Sequence, residues 1–165
     1  MQITLYTDGA SRGNPGRGGW GVYIEVKKDK LYTTKLSGGE RDTTNNKMEL
    51  RATLEGLKYI KKNLTKILDN KDVKIKIKTD SKYVKNGITE WIINWEKNNW
   101  KGSNKKPVAN QEIWKELLSV KNSINDKLIK ATFSELKFEY VEGHSGIHGN
   151  EIADSLATEA ADNLE

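Results

Sequence analysis

Polar and apolar positions alternate with a period of two over residues 2–8, with Thr4 and Tyr6 on the less apolar side, which predicts a strand. Residues 19–27 and 31–37 predict two more, joined by the polar turn Lys28-Asp29-Lys30. The period then changes. In TTNNKMELRATLEGLKYIKKNL, the residues Leu50, Leu54, Leu57 and Leu64 fall along one stripe of a helix that Thr44 or Asn45 can cap. VKIKIKTD, residues 73–80, returns to alternation, with Val73, Ile75 and Ile77 on one face and lysines on the other. It predicts a strand covered fully on one side only. Short helices are predicted within 81–97, a longer one over 111–127, a strand over 133–141 and a closing helix over 150–162. In that last helix Asn150 is the expected cap, and Ile152, Leu156, Ala157 and Ala160 the inward positions.

The element order is therefore β-β-β-α-β-α-α-α-β-α. Three strands joined by short turns form an antiparallel meander, and a helical crossover into residues 73–80 places that strand parallel to the first. An α/β fold with a mixed five-stranded sheet and helices on both faces is the expectation. With 165 residues the chain suits one domain, and no repeat or linker divides it. No apolar run approaches the roughly 20 residues of a membrane span, and the start MQITLYTD does not resemble a signal peptide. The absence of cysteine excludes disulfides and thiolate metal sites and fits a reducing compartment. A net charge of +5 is compatible with an anionic partner without identifying one.

Chemistry concentrates in four carboxylates. In open α/β sheets the site lies at the carboxyl ends of the strands, where YTDG and KTDS place Asp8 and Asp80. Each shares parity with the less apolar side of its strand, so parallel neighbours would bring the two side by side; a turn or cap is the plainer role of such an aspartate. Glu49 lies in the first turns of the long helix, with the small residues Ala52, Thr53 and Gly56 beside it, so it can point toward the sheet. It could equally be a favourable charge at a helix start, in a capping box if Asn46 is the cap. Asp154, in GHSGIHGNEIADSLA, has Ala157 and Thr158 beside it. Four close carboxylates repel and call for cations, and their hard oxygens suit Mg²⁺ or Mn²⁺. A zinc site of His144, His148 and Asp154 is a weaker alternative. GNPGRGGWG lacks the Gly-Lys-Ser/Thr ending of a P-loop and leads into no helix.

YTDGASRGNPGRGGWG, TTNNKMEL, TDSKYV and GHSGIHGNEIADSLA, in this order and spacing, resemble the signatures of type 1 ribonuclease H over residues 2 to about 162. The resemblance implies a ribonuclease-H-like fold with strand order 3-2-1-4-5, strands 1–3 antiparallel and strands 4 and 5 parallel to 1. It implies an endonuclease that hydrolyses the RNA strand of RNA–DNA hybrids with two Mg²⁺ ions, Mn²⁺ being a possible substitute, and leaves 5′-phosphate and 3′-hydroxyl ends. Asp8, Glu49, Asp80 and Asp154 would be the metal ligands, and His144 a loop histidine that aids proton transfer or product departure. Asn14 and Asn45 would contact the RNA, and Thr44 and Asn110 would grip a DNA phosphate. Asn46 stands beside Asn45 at a helix start, where backbone N–H groups favour phosphate. Two metal ions can activate water and stabilise a leaving oxygen without a protein nucleophile, and no Ser-His-Asp or Cys-His arrangement stands out.

WIINWEKNNWKGSNKKPVANQEIW, residues 91–114, holds four of the five tryptophans, and Lys97 to Asn110 contains four lysines and no acidic residue. This reads as a basic protrusion at about 97–110, with Trp91, Trp95 and Trp114 in the core and Trp100, Lys101, Lys105 and Lys106 available to the hybrid. Glu96 and Ala109 stand where basic residues are expected in the family, and Arg41 lies one position before its usual phosphate-pocket arginine, a place taken by Asp42. The rivals are an integrase-like enzyme, the nuclease domain of a reverse transcriptase, and a catalytically silent nucleic-acid-binding module. All four carboxylates disfavour the last, and TTNN and GHSG disfavour the first. The initiating Met, without a transit peptide or leading hybrid-binding domain, suggests a stand-alone bacterial-type enzyme, cytoplasmic and monomeric.

Overall fold

In the computed structural model, which describes residues 1–164, β1 (Gln2–Ser11), β2 (Gly16–Lys27) and β3 (Leu31–Thr43) form the antiparallel meander. β4 (Lys74–Thr79) joins β1 in parallel and β5 (Lys137–Tyr140) joins β4 in parallel, giving the order β3-β2-β1-β4-β5. The helices are α1 (Asn45–Lys62), the short α2 (Leu64–Ile67), α3 (Lys82–Asn86), α4 (Ile92–Lys97), α5 (Gln111–Thr132) and α6 (His148–Asp162). A single π turn, Gly87–Trp91, links α3 to α4. No described helix is long and apolar enough to cross a membrane.

The two-residue alternation sorts the layers. Ile3 and Leu5 of β1 and Ile75 and Ile77 of β4 meet Leu50, Leu54 and Leu57 of α1, and Trp114, Leu117 and Leu128 of α5 complete this core. Each such side chain contributes roughly 2 kcal/mol when fully buried, so packing of the leucine stripe, more than propensity, holds α1 on the sheet. Tyr6 and Tyr23 on the opposite face form a smaller cluster with Ala153 of α6.

α6 lies against backbone. A Cβ on Gly21 would come within 2.7 Å of Leu156 Cβ and 2.9 Å of Ala157 N, and one on Gly19 within 2.6 Å of Ala161 N. The buried stripe is accordingly Ala153, Ala157 and Ala161, all fully buried, while Ile152, Leu156 and Ala160 are half-buried. The helix is thus turned by about one residue from the expected face, because the glycine surface admits methyl groups and little else. It also starts earlier, with Ile147 at the cap position without a side-chain bond, so Asn150 is a buried first-turn residue and not the cap.

The glycine-rich stretch after Asp8 is mostly strand. β1 continues to Ser11 and β2 begins at Gly16, so the connection is only residues 12–15. β3 likewise extends beyond its predicted end to Thr43. The last strand is shorter than predicted: α5 runs on to Thr132, Phe133 leaves it in the left-handed region (φ 59°), and Leu136 gives its N–H to Asn125 Oδ1 (2.9 Å). Of the tryptophans expected in the core, Trp114 is fully buried, Trp95 is half-buried and Trp91 is 37% exposed. Gly87 explains the difference. A Cβ there would collide with the Trp114 ring, so Trp114 occupies the space beneath the π turn and Trp91 is left at the surface.

Candidate active site

The parallel register of β1 and β4 ends at Thr7 opposite Thr79, and the next residue of each chain is Asp8 and Asp80. The two aspartates thus stand side by side where the β1–β4 pairing ends, Asp80 just past β4 and Asp8 within β1, which runs on to Ser11 against β2. Thr44 caps α1, its Oγ1 accepting from Lys47 N–H at 3.2 Å. Lys47, not Glu49, therefore occupies the capping-box position, and Asn46 is not the cap. Glu49 lies one turn further on, 4% exposed, and turns into the sheet.

Gly9 joins these pieces. Its N–H donates to the Glu49 carboxylate and to Asp8 Oδ1 (2.9 Å). A side chain at Gly9 would run into the backbone of Met48 and Glu49, so the bare glycine is what lets α1 come this close to β1. One carboxylate oxygen each from Asp8, Glu49 and Asp80 lies within 4.8 Å of the others. Asp154 does not belong to this triad but sits near enough for its carboxylate to help raise both Asp8 and Asp80.

Burial, followed by the contact with and charge of Glu49 and the charges around it, carries Asp8 up to about 11. Burial also raises Glu49, to about 7, against the opposing hydrogen bonds from Asp8 and the Gly9 N–H. Asp80 is raised by burial and by Asp154, with Asp8 and the more distant His144 pulling the other way. Without a cation the cluster therefore holds protons that ordinary carboxylates lose by neutral pH. Converging hard oxygens with no thiolate fit a divalent cation such as Mg²⁺. His148 instead stands edge-on to Tyr23 (6.3 Å between rings, 85°), and no described metal-like group contains either histidine. The zinc alternative has no support.

A model of the RNase H family matches residues 1–162. The chain belongs to the RNase H family. It is 45% identical over 163 residues to a ribonuclease H of Ruthia magnifica, across 99% of this chain and 97% of the relative. Its fold is similar to the crystal structure of LC9-RNase H1, described as a type 1 RNase H with the type 2 active-site motif (TM-score 0.78, 26% identity, 99% of this chain and 74% of that one). It is also similar in fold to LC11-RNase H1, determined in complex with an RNA/DNA hybrid (TM-score 0.61, 24% identity, 97% and 96% covered).

Around the carboxylates of this RNase H, the remaining residues singled out in the sequence are dispersed. His144 is exposed in the loop between β5 and α6 with φ 57°, next to Gly143, whose Cα packs against Asp80. Asn14 is exposed in the β1–β2 connection, and Asn45 and Asn46 are exposed in the first turn of α1. Thr44 is half-buried, its hydroxyl committed to the cap. Asn110 gives its amide to Tyr83 Oη (3.3 Å) and begins α5 in the left-handed region. Lys101, Lys105 and Lys106 are exposed on the protrusion, which a Lys101–Pro107 bridge pins. Trp100 is half-buried, stacked near Trp95 with Lys115 Nζ 5.5 Å from its ring centre. Arg41 is exposed, whereas neighbouring Glu40 receives Lys47 (3.0 Å) and Arg51 (3.5 Å).

Sequence reasoning missed Gly9 and Ser81. Ser81 caps α3, accepting from Val84 N–H at 3.1 Å, and is among the groups that pull the Glu49 pKa back down. The glycine after a strand-end aspartate was a usable signal, hidden by its resemblance to an ordinary turn.

Proposed function

We propose that this chain is an endonuclease hydrolysing the RNA strand of RNA–DNA hybrids with two divalent cations, Mg²⁺ foremost, leaving 5′-phosphate and 3′-hydroxyl ends. The observation that carries the reading is the meeting of Asp8, Glu49 and Asp80 within 4.8 Å where β1 and β4 stop pairing, in a chain of the RNase H family. Asp8, Glu49, Asp80 and Asp154 would hold the cations, which when bound lower the pKa of water and neutralise charge on a phosphate.

The chain's own residues account for the rest. Gly9 fixes the Glu49 carboxylate so that it need not reorganise during reaction. His144, exposed and within electrostatic reach of Asp80, would give a proton to a departing oxygen or take one from water. Asn14 and Asn45, both exposed, would read the RNA strand, with Asn46 next to Asn45. Thr44 and Asn110 would bear on a DNA phosphate, and Trp100 with Lys101, Lys105 and Lys106 on the duplex backbone. Residues 1–165 act in this reading as one catalytic domain with a basic protrusion.

Matched RNA–DNA, RNA–RNA and DNA–DNA duplexes, each with Mg²⁺ and with EDTA, test it. Cleavage of RNA paired with DNA alone, abolished by EDTA, is expected. Equal cutting of the all-RNA duplex, or undiminished cutting in EDTA, would overturn it.

A further inference from the structure

The connection carrying Asn14 is fastened to the helix carrying Asp154. Arg12 makes a two-pronged hydrogen-bonded ion pair with Asp162 at the end of α6, Nε to Oδ1 at 2.7 Å and Nη2 to Oδ2 at 2.8 Å. Arg17, on the other side of the same connection, donates to the Leu164 carbonyl at 3.1 Å. Within the connection itself only short bonds occur, Arg12 N–H to Arg17 O and Ser11 Oγ to Gly13 O. Both of these side-chain fastenings therefore end at, or just past, the C-terminal end of α6, while Gly16 beside the connection pairs with Thr43 of β3.

The geometry makes this a closed frame. β1 and α6 lie together at Asp8 and Asp154, and from there each runs on toward the connection. Four residues of strand from Asp8 to Arg12 span about 13 Å. Eight residues of helix from Asp154 to Asp162 span about 12 Å. The two legs are nearly equal in length, and the fork of Arg12 on Asp162 closes them. Along its length the α6 leg rests directly on Gly19 and Gly21 of β2, the strand paired with β1, so the frame has little slack.

We propose that Arg12 and Asp162 are positioning residues that hold the Asn14 loop at a fixed place relative to the carboxylates and thereby set substrate affinity. The proposal rests on the reading of Asn14 as a contact to the RNA strand. The guanidinium's fork is spent on Asp162, so Arg12 acts through the loop and not by reaching for phosphate itself.

Charge alone and positioning predict opposite signs for one variant. Asp162→Asn removes a negative charge from a protein that binds a polyanion, which by electrostatics alone would lower KM for the hybrid. Loosening the loop raises it. The expected result is a KM about 3- to 10-fold higher with kcat within about twofold, since the loop contributes binding common to ground and transition states. The exchanged pair Arg12→Asp with Asp162→Arg should restore most of the loss. Asp162→Asn added to Asn14→Ala should raise KM no further. The pair is about half exposed, so thermal stability should scarcely change, and amide exchange of residues 11–17 should speed up in Asp162→Asn. An unchanged or lowered KM, unchanged exchange, or additivity with Asn14→Ala would overturn the proposal while wild-type hybrid cleavage stands. A wild type that cleaves no hybrid would overturn the functional reading, and this inference with it.

Discussion

The backbone N–H of Gly9 donates to the carboxylate of Glu49, 40 residues later in the chain and on a different layer. The bond ties a central strand, just past the point where its parallel pairing stops, to the second turn of a helix, where two ligand candidates must meet. It also sets the tolerance of the site, because any side chain at position 9 is driven into α1. Gly9→Ala should destabilise the protein by about 1–3 kcal/mol and lower hybrid cleavage more than its loss of stability explains. Thermal melts beside kinetics at a temperature where the variant is folded check this. Full activity per folded molecule would show that Glu49 needs no such anchor.

Asp8→Asn should cut Mg²⁺-dependent cleavage by about 100-fold or more, about 3 kcal/mol of transition-state stabilisation, with the fold intact. His144→Ala should cost much less, because an exposed loop imidazole assists a reaction whose charge is handled elsewhere. Single-turnover rates for the two variants side by side decide the ranking, and comparable losses would make His144 indispensable.

The carboxylates also predict how stability depends on pH. Asp8 and Glu49 lie above their ordinary values of 3.8 and 4.5 in the folded, metal-free protein. Their protonated forms therefore favour the fold. That contribution is complete below about pH 4 and is lost as pH rises through 7 and beyond, at up to about 1.4 kcal/mol per pH unit for each group. In EDTA the melting temperature should fall more from pH 5 to pH 8 for the wild type than for Asp8→Asn, and Mg²⁺ at pH 8 should stabilise the wild type more. Parallel melting curves would mean that the cluster is not frustrated.

Alanine at Lys101, Lys105 and Lys106 together should raise KM and flatten its salt dependence, with kcat little changed. All three are exposed on the protrusion and far in sequence from the carboxylates. Each lysine that pairs with a phosphate should, when removed, reduce the log–log salt slope by up to roughly one unit. With Glu96 and Ala109 in place of basic residues, the effect should be smaller than in more basic relatives. A kcat loss with KM unmoved would place the protrusion in the chemistry.

Where a residue's place in the fold follows from period and parity, the sequence was sufficient. Ile75 and Ile77 are buried as their alternation requires, and the same alternation brings Asp8 and Asp80 side by side where β1 and β4 stop pairing. Glu49 was legible for a related reason, since Ala52 and Gly56 marked the face of α1 that must approach the sheet. What could not be read depends on two distant segments touching. Ala153, Ala157 and Ala161 form the buried face of α6 only because Gly19 and Gly21 lie opposite, and neither set looks apolar enough to announce it. Trp91 was misplaced because a tryptophan's burial turned on the room left by a glycine elsewhere in the same turn. The pair Arg12 and Asp162, 150 residues apart, left no local signal at all.

The contact of α6 with bare strand backbone has a mechanical consequence. Ordinary helix–sheet layers meet through side chains, which can change rotamer and absorb a small displacement. Where Ala157 rests on Gly19 and Gly21 there is no such cushion, and the gap is set by atoms whose positions follow from covalent geometry. A methyl group at Gly19 would act as a wedge, lifting the helix as a lever lifts on a fulcrum. The displacement would be felt at Asp154, at the far end of the arm. The spacing between Asp154 and Asp8 is thus gauged from a place that contains no chemistry, and an alanine there would detune the site while leaving every carboxylate unchanged.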